Sequence, residues 1–173
     1  MSKLEDLSIN ITKGTTPRGG ESFYSKYGVA FLRVENIKGL FSIDRSNMKF
    51  IDEDTHLNFL QRSILQSGDI LISIAGTLGR TALVQTKDLP MNINQAISFV
   101  RLVNTDKILI KYIIYAINSP GIQQKLIKQK KITAIPNLTL EIIRNCIVPI
   151  PPYSEEKRMV AKIEKCFNLI VKI

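Results

Sequence analysis

Three prolines separate two segments of different character near the end of this 173-residue sequence. Residues 146–150, CIVPI, are apolar and rich in β-branched side chains, which predicts a short strand. Pro149, Pro151 and Pro152 end that strand, because proline donates no hydrogen bond to a sheet and favours extended geometry in the residue before it. A helix is predicted to follow, with Ser154 as its N-cap. This order predicts a body joined through a stiff hinge to a projecting helix.

The helix predicted after the prolines carries an apolar stripe. Glu155 and Glu156 fall in its first turn, where the helix dipole favours negative charge. The stripe residues are spaced three, four and three apart, as in the seam of a coiled coil: Val160, Ile163, Phe167 and Ile170. The stripe either packs back on the body, as most amphipathic helices do, or is covered by a partner helix. The proline hinge favours the partner helix.

The body before the prolines is predicted to be α+β. Its predicted strands come first, at residues 7–12, 29–34, 48–51, 70–74, 80–85 and 96–103. Its predicted helices come mainly later, at residues 108–118 and 122–130, followed by a short helix at residues 140–145 that Thr139 could cap. This order favours a mixed or antiparallel sheet. We expect residues 1–150 to form one domain, and residues 151–173 to form the hinge and the helix.

The charge balance points to an anionic partner. The sequence has 24 Lys and Arg against 15 Asp and Glu, and its formal net charge of +9 is typical of proteins that bind nucleic acid or a membrane surface. It has no run of about 18 apolar residues, and its N-terminal segment MSKLEDLSIN lacks the apolar core of a secretion signal. Cys146 and Cys166 form no CxxC pair. We expect a reduced cytoplasmic setting without a membrane partner.

Four segments in a fixed order resemble a known family. They are KLEDLSINITKGTTP, SGDILISIAGTLGR, NINQAISFVRL and VPIPPYSEEKRMVAKIEK. Together they resemble a target recognition domain of a type I restriction–modification specificity subunit. The resemblance covers nearly the whole chain, and the proline exit into a helix is its most specific mark.

The resemblance implies a function in DNA recognition without catalysis. Such a domain reads one half of a split double-stranded DNA sequence, and its spacer helix docks methyltransferase subunits that work with restriction subunits. Family members commonly carry two recognition domains and two spacer helices, whereas this sequence has one of each. It is therefore either a fragment or a half-length subunit that forms a homodimer through its C-terminal helix.

The residues predicted to contact DNA fall into several groups. Lys125, Lys128, Lys130 and Lys131 form a cluster without an acid, which suits phosphates, although a solvated helix face is the alternative. Lys13, Thr16 and Arg18 lie in a glycine-containing loop whose backbone N–H groups can approach an anion, or which is an ordinary turn. The remaining candidates are Arg33, Asn36, Lys38, Thr77, Arg80, Asn92, Asn94 and Gln95. Amides suit adenine edges and Arg suits guanine, but such residues are also common in loops.

Catalysis, a cofactor and a metal site are not predicted. His56 stands without Cys or acidic residues at metal-ligand spacing, and it is predicted to be a surface helix residue. The segment IPPY has Ile150 where the Asn-Pro-Pro-Tyr motif of adenine methyltransferases has its essential amide. A standalone enzyme acting on nucleic acid therefore stays the weaker alternative. A non-catalytic protein-interaction domain, whose basicity only aids solubility, is the other.

Overall fold

The computed structural model describes residues 1–17, 19–130 and 137–170, apart from the side chains of residues 20, 21, 129, 130 and 170. The strands in these ranges are β1 Ser2–Lys3, β2 Ser8–Lys13, β3 Val29–Leu32, β4 Ile37–Gly39, β5 Ser42–Ile43, β6 Lys49–Ile51, β7 Ile70–Ser73, β8 Thr81–Leu83, β9 Met91–Ile93, β10 Ile97–Leu102 and β11 Ile147–Val148. The α-helices are α1 Lys107–Ile117, α2 Pro120–Lys130, α3 Leu140–Arg144 and α4 Tyr153–Ile170. Short 3-10 turns and one π-helical turn, Thr55–Phe59, join them.

The larger sheet is antiparallel, with the strand order β2-β10-β7-β8. β10 lies inside it, and its Phe99 is opposite Thr12 of β2 and Leu71 of β7. Successive residues of β10 enter different clusters, because side chains alternate between the two faces of a strand. Phe99 packs between the sheets, whereas Val100 packs against the helices. Both faces are covered, which explains the nearly unbroken apolar run of β7 and confirms the buried strand predicted there.

The second sheet has the order β6-β3-β9, with β3 antiparallel to β6 and parallel to β9. Two short ribbons complete the body, β1 with β11 and β4 with β5. This pairing confirms the predicted α+β class with mixed and antiparallel sheets. β9 was not predicted, because Asn92 makes its three residues resemble a polar loop.

Several strand ends and their loops lie together at one end of the body. β2, β3, β7 and β9 end there, and β8 and β10 begin there. The pairs that fix this arrangement are Lys13 with Ser98, Ser73 with Ile97, Ile72 with Thr81, and Leu32 with Ile93. We call the segments 13–17, 33–36, 74–80 and 94–96 the loop end.

The C-terminal helix is confirmed, and it begins one residue before the predicted N-cap. The carbonyl oxygen of Pro152 accepts the N–H groups of Glu155 at 2.8 Å and Glu156 at 3.1 Å, so the helix starts at Tyr153. The proline segment is also tied to the body, because the hydroxyl of Tyr112 in α1 donates to Pro149 O at 2.8 Å.

The course of α4 differs from the predicted projection. Val160 is 1% exposed and belongs to the main hydrophobic cluster. Further along, Lys111 Nζ of α1 lies 2.5 Å from Glu164 Oε1, and the Tyr115 and Phe167 rings stack with centroids 6.1 Å apart. The hinge therefore returns the helix to α1 instead of directing it away from the body. Phe167 and Leu169 nevertheless stay 42% and 58% exposed. The side chain of Ile170 lies outside the described residues.

Candidate nucleic-acid interface

The first segment of the loop end is fixed by backbone contacts at Gly14. Its N–H donates to Ile97 O at 3.1 Å. A Cβ at Gly14 would lie 1.9 Å from Ile93 O and 2.5 Å from Asn94 O, so only glycine fits. Segments 13–17 and 94–96, predicted separately as DNA-contacting loops, therefore lie against each other.

Two threonines extend this contact. Arg62 Nη2 donates to Thr15 Oγ1 at 3.2 Å, and Thr16 Oγ1 donates to Gln95 Oε1. Gln95 and Lys13 are exposed. Arg62 was not predicted, because nothing in the sequence connects it with a threonine 47 residues away. Arg18 lies outside the described residues.

The amide of Asn94 is half-buried within the same segment. Its backbone N–H donates to Leu32 O at 3.0 Å, which joins the segment to the end of β3. Its side-chain Oδ1 accepts the N–H of Ala96 at 3.1 Å. The tip 94–95 is therefore held both by its own turn and by neighbouring strands.

The segment after β3 contributes one basic group to this end. Arg33 Nη1 lies 2.9 Å from Glu35 Oε1, and Arg33 Nη2 donates to Asn47 O at 3.4 Å. Arg33 Nε is buried without a hydrogen-bond partner among the described residues. The two terminal nitrogens therefore hold the Arg33 side chain in place through Glu35 and Asn47.

Asn36 does not lie where a DNA contact needs it. It is 2% exposed, and its amide is used within the protein. Oδ1 accepts the N–H of Arg33 at 3.0 Å, and Nδ2 donates to Asp44 O at 3.0 Å. The structure contradicts its prediction as a contact residue, because the amide holds the turn together instead.

Lys38 is paired with Asp44 at 3.1 Å, and its side chain is half exposed. Hydrogen bonds from the backbone and hydroxyl of Ser46, together with Lys38, lower the pKa of Asp44 to about 2. The charge of Lys38 is therefore partly compensated before any ligand binds.

The turn between β7 and β8 completes the loop end. Ser73 Oγ donates to Thr77 O and accepts the N–H of Arg80 at 2.9 Å. Arg80 is exposed, and its Nη1 donates to Ile37 O at 3.5 Å. Gln123 of α2 donates to Gly79 O at 3.0 Å, which brings the start of α2 to this turn. The turn between β7 and β8 therefore lies against the segment after β3, because Arg80 contacts Ile37 and a Cβ at Gly76 would lie 3.7 Å from Val34.

Asn92 is part of the core, not of the surface. It is 0% exposed, its Nδ2 donates to Leu60 O at 3.1 Å, and its Oδ1 is bonded to His56 Nδ1. Its prediction as a base-reading residue is contradicted, because strand β9 turns the side chain inward. The surface position predicted for His56 is also wrong, since His56 is 6% exposed.

The lysines of α2 lie on two kinds of surface. Lys125 lines a small cavity of about 90 Å³ with Asn145 and Cys146. Burial raises the pKa of the Cys146 thiol, and the charge of Lys125 acts in the opposite direction. Lys128 is exposed. The side chain of Lys130 and the whole of Lys131 lie outside the described residues.

Other kinds of site find no support in the described ranges. Residues 1–17, 19–130 and 137–170 contain no group of three His, Cys, Asp or Glu that could hold a metal ion. Over the same part of the chain, no helix is both long and apolar enough to span a membrane.

Comparisons with known proteins give a consistent picture. A family model described as a type I restriction modification DNA specificity domain matches residues 1–173. The chain is 29% identical over 143 residues to the EcoBI specificity subunit of Escherichia coli, covering 82% of this chain and 29% of the relative. It is 26% identical over 172 residues to the MjaVIII specificity subunit of Methanocaldococcus jannaschii, covering 97% of this chain and 39% of the relative.

Solved structures share the fold. The HsdS subunit from Thermoanaerobacter tengcongensis matches with a TM-score of 0.66 and 18% identity, over 99% of this chain and 38% of that one. A chain from a structural study of type I R-M complex assembly and conformational transition matches with a TM-score of 0.68 and 17% identity, over 98% and 38%. The chain thus spans between 29% and 39% of the length of these proteins.

Proposed function

Because this chain belongs to the family of type I restriction modification DNA specificity domains, we propose that it binds double-stranded DNA sequence-specifically and directs partner subunits to a split target. Residues 1–150 would form the recognition domain, and residues 151–173 the hinge and spacer helix. Methylation and cleavage would be supplied by methyltransferase and restriction subunits. The chain itself would need no cofactor, and the cytoplasm is where such a complex would meet DNA.

The convergence of four segments at the loop end carries this proposal. Arg33, Thr77, Arg80, Asn94 and Gln95 come from distant parts of the sequence, yet their backbones meet at one end of the sheets. Guanidinium and amide groups are the side chains that bond base edges in the major groove. Loops placed on a rigid sheet can hold such groups in a fixed arrangement.

Phosphate contacts would come from the surrounding cations. Lys13 and Lys128 are exposed, and neither forms an ion pair with a described residue. Contacts of this kind raise affinity for all sequences and depend on salt. The net charge of +9 supports them.

The exposed side chains near the end of α4 support a partner helix. Phe167 stacks on Tyr115 of α1 yet stays 42% exposed, and Leu169 is 58% exposed, so both present apolar surface near the end of α4. A second copy of the chain, or another spacer helix in a larger complex, would cover this surface. Association of this kind would separate two recognition domains by a fixed distance, which suits a split target.

The test is DNA binding by the purified chain over a range of salt concentrations. Replacing Lys128 by Ala should weaken binding to all sequences alike and reduce the slope of log affinity against log salt by about 0.9. Lys165→Ala on α4 is the matched control, because Lys165 is exposed on a helix that packs on α1, whereas α2 contacts the loop end through Gln123. Equal effects of both variants would contradict a phosphate contact at Lys128.

Two outcomes would favour the other functions. Absence of binding at moderate salt would favour a protein-interaction domain. Methyl transfer from S-adenosylmethionine to DNA, or DNA cleavage, by the chain without partner subunits would favour an enzyme.

A further inference from the structure

Two neighbouring amides at the loop end have their carbonyl oxygens occupied by the protein itself. Gln95 Oε1 accepts from the hydroxyl of Thr16, and Asn94 Oδ1 accepts from the N–H of Ala96 at 3.1 Å. Across the described ranges, neither Asn94 Nδ2 nor Gln95 Nε2 donates to another group. The side chain of Gln95 is exposed and that of Asn94 is half-buried. Each amide oxygen keeps a second lone pair, but the two NH₂ groups are the ones that have no hydrogen-bond partner within the described part of the chain.

The bond from Thr16 restricts an otherwise mobile side chain. A glutamine on the surface samples several rotamers, and fixing it beforehand removes an entropy cost from binding. Thr16 can act in this way because the two residues before it are held in place. Gly14 lies too close to Ile93 O for any side chain, and Thr15 accepts a hydrogen bond from Arg62.

We propose that Asn94 and Gln95 read base edges through their NH₂ groups, and that Thr16 is the positioning residue that orients Gln95. The inference rests on the proposed function and names the chemical class that the tip recognises. In the major groove, guanine offers N7 and O6, thymine offers O4 and adenine offers N7 as acceptors. Cytosine offers only its N4 amino donor, so the tip should favour acceptors and reject cytosine at the contacted position.

This reading differs from what the two residue types suggest alone. An unconstrained Asn or Gln can bond adenine through both its oxygen and its nitrogen. Here the Gln95 oxygen is held by the Thr16 hydroxyl while the NH₂ group has no partner, so we expect the contact to be made through nitrogen. The preference therefore extends to guanine and thymine.

The experiment is selection of bound sequences from a randomised duplex library by the purified full chain and its variants. Gln95→Ala should remove an acceptor preference at one base position, a loss of about 5- to 140-fold in discrimination. Gln95→Glu should move that position toward cytosine, because a carboxylate accepts where the amide donated. Gln66→Glu is the matched control, since Gln66 is an exposed glutamine before β7, at the opposite end of that strand from the loop end.

Thr16 variants test the positioning role. Thr16→Val removes the hydroxyl at nearly constant volume. It should weaken the base preference at the DNA position that Gln95 contacts, while the other DNA positions keep their preference. Thr16→Ser retains the hydroxyl and should restore the selected sequence. Circular dichroism should show the same fold for every variant.

Three results would overturn the inference. The first is that Gln95→Ala lowers the affinity for all sequences equally, or leaves the base preference at every DNA position unchanged. The second is Thr16→Val that leaves the Gln95-dependent position intact. The third is an unaltered chain that selects no sequence at all, which would also overturn the proposed function. In the first two cases, sequence selection by the unaltered chain keeps the proposed function standing.

Discussion

Arg101 of β10 and Asp69, the residue before β7, form a bidentate ion pair, with Nε to Oδ1 and Nη2 to Oδ2 both at 2.8 Å. Asp69 is fully buried, and the Arg101 guanidinium also lies over the Phe99 ring at 5.0 Å. Removing one partner of such a pair leaves an uncompensated buried charge. The position of the start of β7 therefore depends on Arg101 of β10.

We expect Asp69→Ala to lower the free energy of unfolding by about 3–5 kcal/mol, because Arg101 would keep its charge without a partner. Urea denaturation followed by circular dichroism measures this loss. Glu155→Ala is the control, since the Glu155–Arg158 pair lies on the surface of α4 and should leave the midpoint nearly unchanged. Equal shifts for both variants would contradict the structural role of the buried pair.

Gly14→Ala should destabilise the protein by about 1–3 kcal/mol, because the new Cβ would meet backbone atoms that cannot move independently. Gly121→Ala is the matched control. A Cβ at Gly121 meets nothing within 4 Å, and alanine favours a helix over glycine by up to about 1 kcal/mol. The midpoint of urea denaturation should therefore fall for Gly14→Ala and rise for Gly121→Ala. The same direction for both would mean that the segment 13–17 yields to the added methyl.

The two ends of α4 should respond differently to truncation. Val160→Ala should cost about 2 kcal/mol of stability, because it removes buried methyl groups from the main cluster. Leu169→Ala should change stability by less than about 0.5 kcal/mol, while reducing self-association. Phe167→Asp would mix the two effects, since its ring packs on Tyr115.

Urea denaturation and light scattering together measure the response of α4. A monomeric starting chain would contradict the self-association. A Val160→Ala variant as stable as the unaltered chain would contradict the packing of α4 on the body.

Glu156 should make stability fall as pH rises. Burial, and then the negative charge of Asp106, raises the pKa of this carboxyl above its usual 4.5. Between pH 4.5 and the higher native pKa, the folded protein holds more protons than the unfolded chain, so stability decreases as pH increases through that interval. Glu156→Gln should remove this decrease and be more stable at pH 7.

Unfolding free energies measured from pH 4.5 to pH 7 test this prediction. Glu53→Gln, on the surface, is the control. A Glu156→Gln effect of the same size at every pH would show that the titration of Glu156 is not its cause. Measurements above pH 4.5 also avoid the titration of Asp44, because its pKa of about 2 makes it affect the free energy of unfolding mainly at lower pH.

The local sequence pattern was sufficient to predict where the strands of the larger sheet and the α-helices lie along the chain. The apolar runs of β7 and β10 and the N-cap Thr139 of α3, whose side chain accepts the N–H of Ile142, all lie where the sequence predicts them. The parallel pairing of β9 with β3 was not predictable, because it joins residues about 60 positions apart through a strand of three residues.

The candidate site shows the same limit. Thr16 and Gln95 were each predicted as contact residues, but their contact with each other spans 79 positions and leaves no local signal. The prediction of Asn36 and Asn92 as DNA-contact residues failed for another reason. An asparagine in a short polar segment has the same sequence pattern whether its amide faces water or bonds the backbone.

The pairing of the first strand with the last has a consequence for synthesis of the protein. Ser2 of β1 lies opposite Val148 of β11, so the ribbon cannot form until nearly the whole body has been translated. At about 5–20 residues per second, the N-terminal residues wait on the order of 10 s for their partner. Translation speed over the α1–α3 region should therefore influence the yield of folded protein more than it would in a protein built from local contacts.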